Sequence, residues 1–204
     1  MKKQALIDFI EKYRPEQSEA LIKRFEELHE YLWEENSRVN LISRKVPAEE
    51  YWTSHLLDSI LPIAEMDFSG LKILDFGSGG GLPGIPLKLI FPDAEVYCLD
   101  SRHKKMKAVD KMIKKLDLTG CFTIVSRLKE MDADWIGQFD LIVCRSVKIL
   151  PQYKKKLLNL LKDGGRIVLY KSKLLDDIAQ FENYKTHDMS HPEIGTRKII
   201  EITK

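Results

Sequence analysis

Apolar residues recur every three or four positions through the first third of the chain. Over residues 17–33 this spacing predicts an amphipathic helix. Its apolar positions are Ala20, Leu21, Phe25, Leu28 and Leu32. A second helix is predicted after Pro47, and the polar residues 36–44 predict a turn-rich link between the two. We therefore expect residues 1–65 to form a helical extension.

The pattern changes at Leu71, where short apolar runs begin to alternate with longer amphipathic stretches. Five runs predict strands, at residues 71–75, 94–100, 121–126, 139–144 and 166–170. Helices are predicted between them at residues 84–91, 103–116 and 151–161, with only a short segment after Ser126. This alternation is typical of βαβ units with a parallel sheet. We expect an α/β domain over residues 66–204.

The end of the chain predicts a short helix after Lys173 and two further strands, at residues 184–189 and 197–203. These strands are expected to complete the sheet as a hairpin. Apolar runs such as residues 141–144 are continuous rather than alternating, which favours central strands buried on both faces.

Composition indicates a globular chain that folds by burying an apolar core. It has 204 residues, of which 44% are hydrophobic and 31% charged, which excludes disordered, collagen-like and disulfide-framework classes. No apolar run approaches the ~18 residues of a membrane span, and the start of the chain does not resemble a signal peptide. We expect a cytoplasmic protein without membrane contact. Cys98, Cys121 and Cys144 have neither metal-site nor redox-pair spacing, so we expect buried thiols and no metal.

Basic residues cluster, although the net charge of the whole chain is only +2. Residues 102–115 contain seven basic side chains against one acid, Asp110, and residues 154–156 are three lysines. Such clusters can neutralise the phosphates of a nucleic acid, or they can form the solvated face of a helix. Both interpretations remain open at this point.

The most informative stretch is residues 71–84, a predicted strand that ends in Asp75 and runs into a glycine-rich loop. Glycines lack the Cβ atoms that would keep a ligand away from the backbone. Residues 79–84 satisfy the GxGxxG dinucleotide pattern. The longer pattern, an acid followed by alternate glycines, is that of S-adenosylmethionine-dependent methyltransferases, whose cofactor carries a cationic amino-acid group that Asp75 could help to hold. A purely structural turn is a third interpretation; we favour the methyltransferase.

Asp100 is expected to emerge at the carboxyl edge of the second strand, where α/β sheets bind ligands. Its carboxylate could accept hydrogen bonds from both ribose hydroxyls of a cofactor. It could also cap the helix predicted to begin near His103. The two roles are compatible, and we favour the ribose contact.

The residues after the fourth strand discriminate between methyl acceptors. Enzymes that methylate amino groups usually have an Asn/Asp-Pro-Pro-aromatic loop here, whereas this chain has Arg145 and Ser146. Cys144 does not follow a proline, so the cysteine nucleophile of carbon-5 cytosine enzymes is not expected. A ring nitrogen such as guanine N7 already offers a lone pair, so positioning would do most of the catalysis. Arg145 is the predicted catalytic residue, contacting guanine, a phosphate or the cofactor carboxylate. The alternative is an ion pair with an acid at the strand ends.

Five segments resemble those of one family, the bacterial small-subunit (16S) ribosomal RNA guanine-N7 methyltransferases, also called glucose-inhibited division protein B. These segments are residues 40–43 (Asn-Leu-Ile-Ser), 55–59 (His-Leu-Leu-Asp-Ser), 75–86, 99–105 and 126–127. The Leu-Pro-Gly-Ile-Pro ending of the glycine loop, residues 82–86, is much more specific than GxGxxG.

The resemblance implies a class I S-adenosylmethionine-dependent methyltransferase fold, a Rossmann-like, mostly parallel seven-stranded sheet with an N-terminal helical extension. It implies methyl transfer to N7 of a guanine in 16S ribosomal RNA, free or within the small ribosomal subunit, by a protein that we expect to be a monomer. The predicted cofactor residues are Asp75, Gly77, Ser78, Gly79, Gly81, Leu82, Asp100, Leu128, Lys129 and Arg145.

The predicted substrate and RNA residues are His55, Asp58, Lys104, Lys105, Lys171 and Arg197. His55 and Asp58, three residues apart on one helix face, could instead make only a local contact. The chain departs from the family at Lys129, where an acid is usual, and at Ser146 and Ser172, where alanine and glycine are usual. Two alternatives therefore accompany the methyltransferase: a nicotinamide-dependent oxidoreductase, and a non-catalytic RNA-binding module that retains the fold.

Overall fold

Seven strands form one sheet in the computed structural model, which describes residues 1–172 and 175–204. The strands are β1 (Lys72–Phe76), β2 (Glu95–Asp100), β3 (Cys121–Val125), β4 (Phe139–Arg145), β5 (Leu161–Lys171), β6 (Tyr184–Asp188) and β7 (Lys198–Thr203). Their order across the sheet is β3-β2-β1-β4-β5-β7-β6. β1 to β5 run parallel, and β7 pairs antiparallel with both β5 and β6. The predicted parallel sheet with a closing hairpin is confirmed.

Helices precede the sheet and connect its strands. The α-helices of the described residues are α1 (Lys2–Tyr13), α2 (Ser18–Arg38), α3 (Asp58–Ile60), α4 (Gly84–Ile90), α5 (His103–Lys115) and α6 (Pro151–Leu160). A π-helical segment, Trp52–Leu57, leads directly into α3. Short 3-10 segments are Pro15–Gln17, Ala48–Glu50, Leu61–Ala64, Leu128–Glu130 and Ala133–Trp135.

Several element boundaries differ from the sequence prediction. α2 continues to Arg38 instead of ending near residue 33, because its last turn is stabilised by ion pairs of Arg38 with Glu34 and Glu35. The strand predicted over residues 166–170 already begins at Leu161. Residues 176–180 form turns rather than the short helix predicted after Lys173, which itself lies outside the described residues.

One apolar core joins the helical extension to the sheet. Leu32 of α2 and Leu56 are fully buried in the same cluster as Ile73 of β1 and Val143 of β4. A second cluster fills the opposite face of the sheet, under α6. The division of the chain at residue 65 stays a prediction, because the two parts share this core.

The three cysteines are free and buried, as the sequence predicts. Burial raises the pKa of the Cys144 thiol, which makes this side chain a poor nucleophile. Within residues 1–172 and 175–204, no helix is long and apolar enough to cross a membrane.

The Asn36 side chain holds the segment that follows α2 in place. Asn36 is 3% exposed, and its Oδ1 accepts hydrogen bonds from the N–H of Leu41 at 2.8 Å and of Ile42 at 3.0 Å. Its Nδ2 donates to the Tyr51 hydroxyl at 2.9 Å. These bonds hold the segment against Gly80, where a Cβ would lie 3.3 Å from the Leu41 Cβ. The extension thus packs directly on the glycine loop.

Replacing Asn36 by alanine removes these three hydrogen bonds. The N–H of Ile42 loses its partner, whereas that of Leu41 keeps its bond to the Val39 carbonyl at 2.6 Å. We expect the free energy of unfolding to fall by about 1–3 kcal/mol, as measured by urea denaturation. Ser37→Ala is a matched control one position later, on an exposed side chain, and should change stability by less than about 0.5 kcal/mol. Equal stability of the two variants would contradict this role for Asn36.

Candidate functional site

A buried carboxylate shapes the loop between β1 and α4. Asp75 is fully buried, and its Oδ2 accepts hydrogen bonds from Ser78 Oγ at 2.6 Å and from the Gly84 N–H at 2.9 Å. A Cβ on residue 84 would lie 2.8 Å from the same oxygen, so only glycine allows this approach. The carboxylate therefore ties the end of β1 to the start of α4.

The second oxygen of Asp75, Oδ1, is buried and has no hydrogen-bond partner among the described residues. Burial raises the pKa of this carboxyl to about 6, although the bonds from Ser78 and Gly84 act in the opposite direction. An unpartnered buried carboxylate oxygen is energetically unfavourable, and a cationic or hydrogen-bond-donating ligand group would satisfy it. This atom fits the predicted role of Asp75 toward a cationic amino-acid group, which stays a prediction.

β1 and β4 come close together where they end. Gly77 has φ +75°, and a Cβ there would lie 2.5 Å from Cγ2 of Val147. Ser146, the first residue after β4, has a positive φ of 60°. Residues other than glycine rarely adopt a positive φ, and those that do cluster at functional sites. The strained residue supports the carboxyl edge of the sheet as the functional face.

A cavity of about 790 Å³ opens at this edge. Gly77, Asp100, Leu128 and Lys129, four of the predicted cofactor residues, line it together with Val147. Its volume is typical of small-molecule sites. The described lining does not include the other predicted cofactor residues, Asp75, Ser78, Gly79, Gly81, Leu82 and Arg145. The structure therefore brings the ends of β1 and β2 and the segment after β3 together around one volume.

Asp100, at the end of β2, accepts four hydrogen bonds. Its Oδ1 accepts from the Arg102 N–H at 2.9 Å and from Arg102 Nε at 2.8 Å. Its Oδ2 accepts from the Gly79 N–H at 3.2 Å and from Arg102 Nη2 at 2.6 Å. Burial opposes ionisation, but these bonds outweigh it and hold the pKa of Asp100 below its ordinary value. The carboxylate is charged at neutral pH.

The sequence pattern indicates Arg102 only as one cation of the basic cluster. The available signal was the Asp-x-Arg spacing, because an aspartate commonly accepts a hydrogen bond from the N–H two residues later. Among the described residues no side chain caps α5, so the capping role that the sequence left open for Asp100 is not observed.

Arg145, at the end of β4, binds to the helical extension. It is 8% exposed, and its Nη1 donates to Asp58 Oδ2 at 2.9 Å and to the Ser54 carbonyl at 3.1 Å. The other oxygen of Asp58 lies 2.6 Å from Arg197 Nε. An ion pair of Arg145 with an acid is thus observed, but the acid lies in α3 and not at the strand ends, where the alternative expectation places it. The Nε of Arg145 is buried without a partner in the described part of the chain, so the predicted contact with a ligand stays open to it.

The ring of His55 has both nitrogens buried and without a partner among residues 1–172 and 175–204. Burial and the charge of Arg145 lower the pKa of His55 to about 3, so the ring is neutral at physiological pH. A neutral imidazole donates from one nitrogen and accepts at the other, which suits the edge of a base. The described residues contain no group of three His, Cys, Asp or Glu side chains that could hold a metal ion.

Part of the basic cluster is used within the molecule. Lys111 and Lys115 of α5 form ion pairs with Glu35 and Glu34 of α2. These pairs dock the extension against α5. They therefore lower the number of cations on this helix that are available to a phosphate.

The predicted RNA lysines differ in what they contact. Lys105 donates to the Leu41 carbonyl at 2.8 Å, and Lys171 forms an ion pair with the buried Asp177. Lys104 is exposed, as is Lys107, and neither has an ion-pair partner in the described parts of the chain. Among the described residues, these two lysines are the accessible cations of the helix in the sense that they are exposed and form no ion pair.

The family model for rRNA small subunit methyltransferase G matches residues 21–196 of this chain. The Ribosomal RNA small subunit methyltransferase G of Christiangramia forsetii is 30% identical over 192 residues, which cover 90% of this chain and 89% of that protein. The protein of the same name from Chlorobium phaeobacteroides is 38% identical over 142 residues, which cover 69% of this chain and 62% of that protein.

Solved structures share the fold. A putative O-methyltransferase from Nostoc punctiforme has a TM-score of 0.60 and 16% identity, covering 77% of this chain and 57% of that one. A SAM-dependent methyltransferase from Aquifex aeolicus has a TM-score of 0.57 and 12% identity, covering 76% of this chain and 92% of that one. The predicted class I, Rossmann-like methyltransferase fold is confirmed.

The buried, neutral ring of His55 predicts a measurable pH dependence of stability. Because the pKa of His55 is lowered from 6.5 to about 3 in the folded state, the unfolded chain binds one more proton at this residue as the pH falls from 6.5 toward 3. The free energy of unfolding should therefore decrease on acidification, by up to about 1.4 kcal/mol per pH unit from this residue. Urea denaturation of the wild type and His55→Gln between pH 7 and 4.5 measures the difference.

Asp75 acts in the opposite sense, because its pKa is raised in the folded state, but it is present in both proteins and cancels in the comparison. His103→Gln, which changes an exposed side chain, is the matched control and should keep the wild-type slope. If His55→Gln also kept that slope, the ring would not be buried as described.

Proposed function

This chain belongs to the rRNA small subunit methyltransferase G family, and we propose that it transfers the methyl group of S-adenosylmethionine to N7 of a guanine in 16S ribosomal RNA. The observation that carries the proposal is the cavity at the carboxyl ends of β1 and β2. There Gly77 of the glycine loop and a charged Asp100 face one volume large enough for a nucleoside cofactor. The names of the relatives support ribosomal RNA as the substrate class.

The residues around the cavity fit the cofactor. S-adenosylmethionine supplies an electrophilic methyl group on a positively charged sulfur. Asp100 would accept hydrogen bonds from the ribose hydroxyls, and Leu128 and Lys129 would contact the adenine. Gly77 lines the cavity and would lie next to the methionine portion. The unpartnered Oδ1 of Asp75 provides negative charge for the amino-acid group.

Guanine N7 carries a lone pair in the ring plane, so its methylation needs no residue to remove a proton first. Catalysis then consists of holding the base in line with the methyl group and excluding water. Arg145 has an unpartnered Nε that can donate to an acceptor on the base or on the cofactor carboxylate. The ion pair with Asp58 fixes its orientation, and His55 offers a second hydrogen-bonding group beside it.

The RNA backbone meets the protein through the accessible cations of α5, Lys104 and Lys107, and through Arg197, whose side chain is 19% exposed. With a 16S ribosomal RNA substrate, free or within the small subunit, we expect the enzyme to act in the cytoplasm. The monomeric state stays a prediction.

Replacing Asp100 by asparagine removes the charged acceptor of the ribose. Calorimetric titration should give micromolar binding of S-adenosylmethionine and no binding of NADH to the wild type. Affinity for S-adenosylmethionine should fall at least about tenfold in Asp100→Asn, since a hydrogen bond to a charged group contributes about 1.5–3 kcal/mol. Asp93→Asn, on an exposed loop, is the matched control and should bind normally.

A labelled-methyl assay on small subunits from cells that lack the modification completes this test. Incorporation by the wild type and its loss in Asp100→Asn are expected. Binding of NADH in place of S-adenosylmethionine would favour the oxidoreductase. Cofactor binding without transfer to any RNA would favour the non-catalytic RNA-binding module.

Removing the accessible lysines should weaken RNA binding without changing the fold. In Lys104→Gln/Lys107→Gln, the slope of log affinity for 16S ribosomal RNA against log salt should become shallower by about 1 per lysine. Lys111→Gln is the control on the same helix. Because Lys111 pairs with Glu35, it should lower stability and leave the slope unchanged. A shallower slope for Lys111→Gln alone would refute this assignment.

A further inference from the structure

The guanidinium of Arg102 is hydrogen-bonded to Asp100, the carboxylate that would bind the ribose of the cofactor. Arg102 Nε and Nη2 lie 2.8 and 2.6 Å from the two oxygens of Asp100. The Arg102 side chain lines the cavity and is 59% exposed, whereas that of Asp100 is 3% exposed. The contact therefore sits at the mouth of the cavity, with its arginine side toward solvent.

The hydrogen bonds to Asp100 fall into two classes. One backbone N–H reaches each oxygen, from Arg102 to Oδ1 and from Gly79 to Oδ2. The guanidinium then adds a second donor to each oxygen. A carboxylate offers about four lone-pair sites in all, so this set is full.

Two hydroxyls from one ribose require one free acceptor site on each oxygen. Departure of the guanidinium leaves one backbone N–H on each oxygen and opens one site on each. The two backbone bonds keep the carboxylate oriented while its side-chain partner is exchanged. The hydrogen-bond count thus makes Arg102 a competitor of the ribose rather than a support for it.

A guanidinium released from Asp100 would lie near other exposed cations. Arg102 immediately precedes α5, on which Lys104 and Lys107 are exposed and three residues apart, hence adjacent on the helix surface. A guanidinium released there adds a third cation, with a geometry suited to bidentate contact with phosphate.

We propose that Arg102 couples the two substrates: ribose displaces its guanidinium from Asp100, and the guanidinium then binds a phosphate of the RNA. This inference rests on the proposed function, because it requires a nucleoside cofactor at Asp100. Cofactor and RNA bind cooperatively, and by thermodynamic linkage each increases the affinity for the other by the same factor.

The test uses S-adenosylhomocysteine, which occupies the cofactor site without transferring a methyl group, and a 16S ribosomal RNA transcript. Calorimetry without RNA should show tighter binding of S-adenosylhomocysteine to Arg102→Gln than to the wild type. Saturating S-adenosylhomocysteine should increase the RNA affinity of the wild type about fivefold or more and leave that of Arg102→Gln unchanged.

Two further variants distinguish competition between Arg102 and the ribose from a simple loss of positive charge at the RNA surface. Lys107→Gln removes a neighbouring cation, and it should bind RNA more weakly while keeping the wild-type cooperativity. Arg102→Lys keeps a cation but loses the two-pronged contact with Asp100. It should bind S-adenosylhomocysteine more tightly than the wild type, with near-normal RNA affinity and reduced cooperativity.

The outcomes distinguish failure of the proposed function from failure of the Arg102 coupling. If the wild type does not bind S-adenosylhomocysteine, the proposed function is wrong and this inference falls with it. If the wild type binds but folded Arg102→Gln binds equally or more weakly, Arg102 is a support and the competition is refuted. Undiminished cooperativity in Arg102→Gln would overturn the coupling in the same way.

Discussion

The buried carboxylate of Asp58 connects three segments that are far apart in the sequence. From α3 it contacts Arg145 at the end of β4 and Arg197 just before β7. Two arginines around one acid leave a net positive charge in a position with little access to water. Removing one partner of such a buried pair typically costs about 3–5 kcal/mol, because the remaining charge is uncompensated. The excess positive charge favours ligand atoms that carry negative charge or lone pairs.

This charge also acts, together with burial, on the pKa values of the groups nearby. Arg145 adds to burial in lowering the pKa of His55, so the imidazole stays neutral. It acts on Asp75 in the direction of ionisation, although burial dominates there and raises the pKa. The carboxyl edge of the sheet therefore has a positive region at the end of β4 and a negative group beneath the neighbouring loop after β1. Such separated charges suit a zwitterionic amino-acid group lying across the two strand ends.

The sequence predicts the sheet well because continuous apolar runs and glycine-rich turns are local signals. Its prediction of α2 stops too early, since the ion pairs of Arg38 extend the last turn through residues that look polar and turn-like. The predicted cofactor residues Gly77 and Asp100 do meet at one cavity, because parallel strands end at the same edge. The partner of Arg145 could not be predicted, because Asp58 lies 87 residues away and only the packed extension brings it there. Likewise, nothing local shows that Lys111 faces Glu35 of α2 rather than solvent.

The helical extension packs directly against the glycine loop and the Arg145 cluster. Leu41 and Ile42 lie against Gly80 of the glycine loop, where a Cβ would be 3.3 Å from the Leu41 Cβ. Lys105 binds the Leu41 carbonyl from α5, so the segment after α2 is held by elements on both sides of the loop. The same extension supplies Asp58 and His55 to the opposite end of the site. Because the extension contacts both the glycine loop and the Arg145 cluster, a shift of the extension would displace residues at both places. The buried polar side chains of Asn36 and Glu35 stabilise this position of the extension through their hydrogen bonds and ion pairs.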